Sequence, residues 1–309
     1  MIPPDSPYWG QVRLLMDVMP AVAEEACFAL KGGTAINFFV RDMPRLSVDI
    51  DLAYLPIEDR DISLRAIDQA LRRIAERLSG YSPSYDVALG DNERSGLSDT
   101  LGVRNLGVQI KIEVNPVLRG AVRPARQLSV RPVVEERIAF GEMLVLDFND
   151  LYAGKLMAAM DRQHPRDLFD VMVLLDEEGI TDELFRTWLV YLVGHKGNIA
   201  DTLNPNRKDV RALYERQFVQ MANREVRLEQ LEEARERMIR ELHRRLGDRE
   251  KRFLLSVKRG QPEWDLLGIP GVAQLPAVKW KLHNIGLMSV ARHAHAVANL
   301  EKVLSEIGS

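Results

Sequence analysis

Apolar and polar positions along the chain divide it into two textures. Residues 9–30 repeat apolar positions at helical spacing, and Pro20 predicts a kink or break between two segments. A Gly-Gly pair and a polar loop follow, and then an apolar strand carrying "DIDLAYL". The segment "DISLRAIDQALRRIAERLSG" is amphipathic. Leu64, Ile67, Leu71, Ile74 and Leu78 form its apolar stripe, Ile62, Ala66, Gln69, Arg73 and Arg77 lie on another side, and Gly80 is its expected stop. Residues 81–140 hold strand-like runs separated by turn residues. The clearest, "GVQIKIEV", alternates strictly: Val108, Ile110, Ile112 and Val114 take one face, and Gln109, Lys111 and Glu113 the other. After "LVLDFNDL" the texture is helical to the end. One long charged helix is expected from Asp209 to Leu246, then a Gly/Pro loop, then a last helix starting near Ala277. The pattern predicts an α/β N-terminal half and a helical C-terminal half, joined near residue 148.

Composition narrows the class. With 309 residues and 46% hydrophobic content, the chain can bury a large core. No apolar run reaches the roughly 18 residues that span a bilayer, so no membrane partner is expected. The opening "MIPPDSPYWGQV" has no charged region followed by an apolar stretch, which predicts a chain without a secretory leader. The single cysteine, Cys27, excludes an intramolecular disulfide, fits a reducing cytoplasm, and reads as a small buried hydrophobe. The net charge of −3 argues against a uniformly basic nucleic-acid binder, but the charge is uneven. Residues 207–259 hold 16 Lys or Arg against 10 Asp or Glu, a local +6, which leaves −9 for the remainder. Such asymmetry permits a basic face for an anionic partner, and equally a solvated helix surface.

The acidic strand carries the chemistry. Residues i and i+2 of a strand point to the same side, so Asp49 and Asp51 share a face while Ile50 and Leu52 enter the core. Two such carboxylates repel, and a divalent ion with a preference for hard oxygen ligands resolves the conflict. If "GVQIKIEV" pairs beside this strand, Glu113 becomes a third ligand, and three carboxylates can hold two Mg²⁺ ions as in phosphoryl-transfer sites. The competing role for Glu113 is an exposed residue paired with Lys111 or Arg104. Gly32 and Gly33 let backbone N–H groups approach a phosphate, and Thr34 adds a hydroxyl. Ser47 lies two residues before Asp49 on the same face. A phosphate there would put a charge of about −2 beside the acidic pair, which makes it a candidate regulatory site. The lone histidines are set aside: His293 and His295 fall on different faces of a helix, and His195 reads as a loop residue.

A second constellation opens the helical half, "NDLYAGKLMAAMDRQHPRDLFDVMVLL". Asn149 or Asp150 is expected to cap its first helix, which puts Lys155 and Arg162 on one face with Leu151 and Ala158. Pro165 fits the first turn of the next helix, Asp167 and Asp170 favour its N-terminus, and Arg166 is placed to pair with Asp170.

The segments "FALKGGTAINFFVRDMPRLSVDIDLAYLP", "KLMAAMDRQHPRDLFDVMVLL", "GNIADTLNPN" and "LPAVKWKLHNIGLM" together resemble the AbiEii/AbiGii toxin family of nucleotidyltransferases, within the DNA-polymerase-β-like superfamily. The resemblance implies an α+β fold: a nucleotidyltransferase core of mixed β-sheet and flanking helices in residues 1–147, and a helical C-terminal domain in 148–309. It implies Mg²⁺-dependent transfer of a nucleotide from an NTP, with two ions during catalysis and Mn²⁺ as a substitute. It further implies a tRNA 3′ acceptor end as substrate and a cognate antitoxin as partner. By position, Gly32, Gly33 and Thr34 match the phosphate-binding turn, and Asp49 and Asp51 the metal pair. Lys155 and Asp167 match the second motif in lysine and acidic roles, with Arg162 beside them for nucleotide binding. Glu113 stands at the variable third acidic position. Two rival readings remain at this point: transfer to a small molecule or a protein hydroxyl, and a non-catalytic NTP-binding module.

Overall fold

The computed structural model describes Ile2, residues 6–92 and residues 95–307. Part of the opening stretch behind the leader expectation therefore lies outside the described residues. By compactness the chain forms two units. The first contains residues 1–151 together with Phe218–Glu225, and the second contains Tyr152–Gln217 and Val226–Ser309.

The first unit opens with α1 (Trp9–Ala23), which runs through Pro20 without a break and buries Val12, Leu15, Met19 and Val22. The helix expected to reach residue 30 ends earlier, and Phe28–Lys31 is a strand, β1. Phe28, Ala29 and Leu30 are all fully buried, and a strand covered on both faces shows a continuous apolar run that periodicity cannot tell from a helix. The Gly-Gly pair opens a short helix, α2 (Gly32–Thr34), which continues as a π-helical turn over Ala35–Val40. Then come β2 (Asp49–Tyr54), α3 (Arg60–Tyr81), β3 (Asp86–Asp91), β4 (Ser98–Asn105) and β5 (Val108–Val114). The unit's remaining elements up to residue 147 are β6 (Arg126–Ser129), α4 (Pro132–Arg137) and β7 (Glu142–Val145). The stripe of α3 is buried as its spacing predicts, through Leu64, Ile67, Leu71, Ile74 and Leu78.

Among the described residues seven strands form one mixed sheet in the order β3-β4-β5-β2-β1-β7-β6. β2 pairs antiparallel with β1 and parallel with β5, and β1 pairs parallel with β7. β4 and β5 join through Leu106 and Gly107, both at positive φ, which matches the twist of a tight hairpin. Cys27 is half-buried, and burial pushes its thiol up to about 11.

The segment 218–225 enters this unit next to the acidic strand. Leu46 N–H donates to the Met221 carbonyl (2.8 Å), Asn223 N–H donates to the Pro44 carbonyl (2.8 Å), and Arg45 forms a β-bridge with Ala222. The long helix expected from Asp209 to Leu246 is therefore two helices with this segment between them. Its polar residues and strong helix formers run on without a gap, but Phe218 and Met221 are buried within the first unit.

α5 (Phe148–Asp161) leads into the second unit, followed by α6 (Pro165–Glu177), α7 (Asp182–Gly194), α8 (Ile199–Leu203), α9 (Arg211–Gln217) and α10 (Leu228–Arg244). The last three are α11 (Asp248–Lys258), α12 (Pro276–Gly286) and α13 (Val290–Glu306). α10 lays Leu231, Ala234, Met238, Ile239 and Leu242 against α6. The helix expected from Ala277 to the end is interrupted at residues 287–289, where Ser289 accepts from Arg292 N–H and starts α13 anew. Among the described residues no helix is long and apolar enough to cross a membrane.

Candidate active site

Asp49 and Asp51 open β2, both half-buried, while Ile50 and Leu52 are fully buried. Register fixes their neighbours. Asp51 lies opposite Lys31 of β1 and Glu113 of β5, and Glu113 lies opposite Thr100 of β4. Directly paired residues share a face, so Lys31, Asp51, Glu113 and Thr100 form a row across four strands, with Asp49 and Lys111 in the adjacent row. The pairing expected between the two acidic strands is present and parallel. Glu113 is 52% exposed, and its Oε2 accepts from Lys111 Nζ at 3.0 Å. Accordingly, no three His, Cys, Asp or Glu side chains converge as a ready metal cage among the described residues. Asp49 and Asp51 offer the hard oxygen donors that Mg²⁺ or Mn²⁺ takes. To join them Glu113 must share its carboxylate with Lys111 or give that contact up.

The glycine turn is built against this pair. Gly32 has φ +72°, and a Cβ there would collide with the Asp51 carboxylate and sit 3.0 Å from Asp51 Cβ. A Cβ on Gly33 would lie 2.7 Å from Arg45 Nη2 and 2.8 Å from Ser47 Oγ. Thr34 is buried, and its hydroxyl donates to the Asp49 carbonyl at 2.6 Å. Its proton therefore faces the acidic strand, and the residue ties turn to strand instead of offering the expected phosphate donor. Asn37 Nδ2 donates to the Gly33 carbonyl at 2.9 Å and closes the turn from behind. Ser47 is only 6% exposed, so a modifying enzyme reaches its hydroxyl only if the entry to β2 opens.

The second constellation is a buried ion cluster within the helical unit. Lys155 Nζ contacts Asp167 Oδ1 at 2.8 Å and Asp170 Oδ2 at 3.0 Å, with all three side chains almost wholly buried. Arg162, 65% exposed, adds a two-pronged contact to Asp167 at 2.5 and 3.0 Å. Burial opposes ionisation of Asp167, but Lys155 and Arg162 outweigh it and hold the carboxyl far below the usual range. Helix capping, the simpler role for these aspartates, falls to other residues. His164 Nδ1 accepts from Arg166 N–H at α6, and Asp147 Oδ1 accepts from Asn149 N–H at α5. Asp150 instead holds the Val122 and Arg123 N–H groups, at 2.8 and 3.0 Å. Lys155 is no surface lysine: the ammonium has three donors, and two of them serve carboxylates.

Seven arginines of the basic tract are held in ion pairs. Arg207 and Arg235 bind Glu236, Arg237 binds Asp176, and Arg244 binds Glu241. Arg245 binds Asp182, Arg252 binds Glu263, and Arg259 binds Glu301.

Sequence reasoning passed over Lys31, Arg45 and the place of Asp170 in the cluster. Arg45 is fully buried and donates to the Leu46 carbonyl at 2.7 Å, directly above Gly33. Its signal was an arginine four residues before Asp49. Asp170 was signalled by its three-residue spacing from Asp167, which puts both on one face of α6.

A family profile described as "Nucleotidyl transferase AbiEii toxin, Type IV TA system" matches residues 13–284. No curated protein sequence matches the chain. Among solved structures, the chain is similar to MenT4, a nucleotidyltransferase toxin from Mycobacterium tuberculosis H37Rv. That similarity is at 14% identity and TM-score 0.47, covering 97% of this chain and 92% of that one. With the profile spanning nearly the whole chain, from α1 to α12, the protein belongs to the AbiEii family of nucleotidyltransferase toxins of type IV toxin–antitoxin systems.

Proposed function

We propose that the protein transfers a nucleotide from an NTP to a hydroxyl of an RNA, the 3′ acceptor end of tRNA being the preferred substrate, and that a cognate antitoxin restrains it in the cytoplasm. The observation that carries the reading is the acidic row of β2 and β5 set against the Gly32–Gly33 turn. Asp49 and Asp51 would hold Mg²⁺, with Glu113 as third ligand. A bound ion supplies charge neutralisation at the reacting phosphate and polarises the attacking hydroxyl. The glycines keep side chains away from the turn, so that a triphosphate can approach its backbone. Thr34 fixes the turn to the strand and Asn37 closes the turn, so the carboxylates do not reorganise when substrate arrives. Glu113, once free of Lys111, is the group suited to take the acceptor hydroxyl proton. Lys155 keeps one N–H beyond its two carboxylates, a donor for a triphosphate oxygen, and the exposed guanidinium of Arg162 supports the same charge. Phosphorylation of Ser47 would oppose triphosphate binding by adding negative charge beside Asp49.

The test is incubation of purified protein with each labelled NTP, Mg²⁺ and total RNA. Label entering a tRNA-sized band with wild type, and not with folded Asp49→Ala, is the expected result. Label on protein or on small molecules redirects the acceptor, and transfer by folded Asp49→Ala rejects the metal assignment.

A further inference from the structure

Two lysines of the helical unit, one buried and one half-buried, meet at one loop without a salt bridge among the described residues. Lys258, at the end of α11, is 5% exposed, and its ammonium reaches only Asn198 Oδ1 at 3.4 Å. Lys281 of α12 donates to the neighbouring Gly197 carbonyl at 2.6 Å. Residues 197 and 198 thus bring both ammonium groups to one loop, and neither lysine has an ion-pair partner among the described residues. Burial and the nearby Lys258 charge push Lys281 down to about 8. Burial also lowers Lys258, with Asp201 acting in the opposite direction. The loop's own ring, His195, accepts from Gly197 N–H at 3.2 Å and faces the Asp161 carboxylate at 3.5 Å; an imidazole, neutral or cationic, brings the lysines no negative charge.

Cations withdrawn from water without an ion-pair partner are costly, and two of them brought to one loop are best explained by an anion that completes the site. The surrounding sequence favours a polyanion. Residues 266–300 contain no Asp or Glu, in a chain that has 45 of them. Next to Lys281 in the chain, Trp280 is 51% exposed and stacked on His283, with centroids 5.8 Å apart and planes at 27°. An exposed aromatic beside cationic groups is how proteins bind single-stranded nucleic acid.

We propose that Lys258 and Lys281, over the His195–Asn198 loop, form a phosphate-binding site that takes a phosphodiester of the acceptor RNA, with Trp280 as the stacking platform for a neighbouring base. The inference rests on the reading of the protein as an enzyme acting on RNA. It moves the RNA contact away from the arginines of 207–259, seven of which are engaged internally.

The test compares wild type with Lys258→Met/Lys281→Met, a change that replaces unpaired charge with apolar volume and is expected to raise stability. Inorganic phosphate should raise the melting temperature of wild type and not of the variant; equal shifts in both overturn the site. Tight binding to total tRNA should weaken in the variant, with the salt slope smaller by about 0.7 for each lost contact. Trp280→Ala should weaken binding about tenfold with the slope unchanged. NTP affinity should be the same in wild type and variant. Loss of NTP binding with an unchanged RNA slope would assign the phosphate to the triphosphate and overturn the RNA assignment. Wild type that transfers label to RNA, with a variant that binds RNA equally well, overturns this inference alone. Wild type that neither binds nor labels RNA overturns the functional reading as well.

Discussion

Replacing Gly32 with alanine tests the link between turn and acidic strand. At φ +72° an alanine costs about 1–2 kcal/mol relative to its usual conformations. The new Cβ would also stand 3.0 Å from Asp51 Cβ, against an ordinary carbon–carbon contact of about 3.5–4.0 Å. The Asp51 carboxylate can rotate away, but its Cβ is fixed to the backbone of β2, so turn and strand must separate by about 0.5–1 Å. Displacement on that scale at a reacting centre lowers rate by up to ~10²-fold. The assay pairs urea unfolding with initial rates of label transfer from NTP. The expected result is a modest stability loss, a mostly folded protein, and a rate lowered by one to two orders of magnitude. An unchanged rate in the folded variant, or a rate that falls only in proportion to the unfolded fraction, would refute the reasoning.

Other outcomes follow from the ion pairs. Lys155→Met removes the buried cation that Asp167 and Asp170 share and should destabilise by about 3–5 kcal/mol, read from the urea midpoint. Asp167 titrates lower in the folded state than in the unfolded one, so its stabilisation is complete above the unfolded carboxyl pKa of about 3.9. It is lost as pH falls from there toward the depressed native value, and urea unfolding at pH 7 and pH 3 should show that loss shrink in Asp167→Asn. Lys111→Met removes a half-exposed pair worth about 1 kcal/mol or less, so stability should barely change. The Mg²⁺ concentration for half-maximal transfer should fall, because Glu113 no longer shares its charge with a lysine and one positive charge is gone from the row beside Asp49.

The parts of the fold legible in the sequence are those where one face meets the core and the other meets water. The stripe of α3 and the alternation of "GVQIKIEV" are such cases; the second gave the face of Glu113, and the strand pairing supplied its place opposite Asp51. β1 was missed because both its faces are covered, which erases alternation. The break at 218–225 was missed because helix propensity is local, whereas the burial of Phe218 and Met221 depends on residues some 170 positions earlier in the chain. At the candidate site, residue types and spacing supplied the acids and glycines as candidates. Which partner each side chain chooses was not written there. Thr34 turns to Asp49, Glu113 to Lys111, and Lys155 to two aspartates, and each choice is set by distances that only the folded chain defines.

The loan of residues 218–225 has a consequence for anyone dividing this gene. The polypeptide crosses between its two units three times, so no single cut yields two complete pieces. A fragment ending at codon 151 would lack the backbone acceptor for Leu46 and the bridge partner of Arg45, just upstream of Asp49. Split versions should regain order at that acidic strand only when both fragments are supplied together.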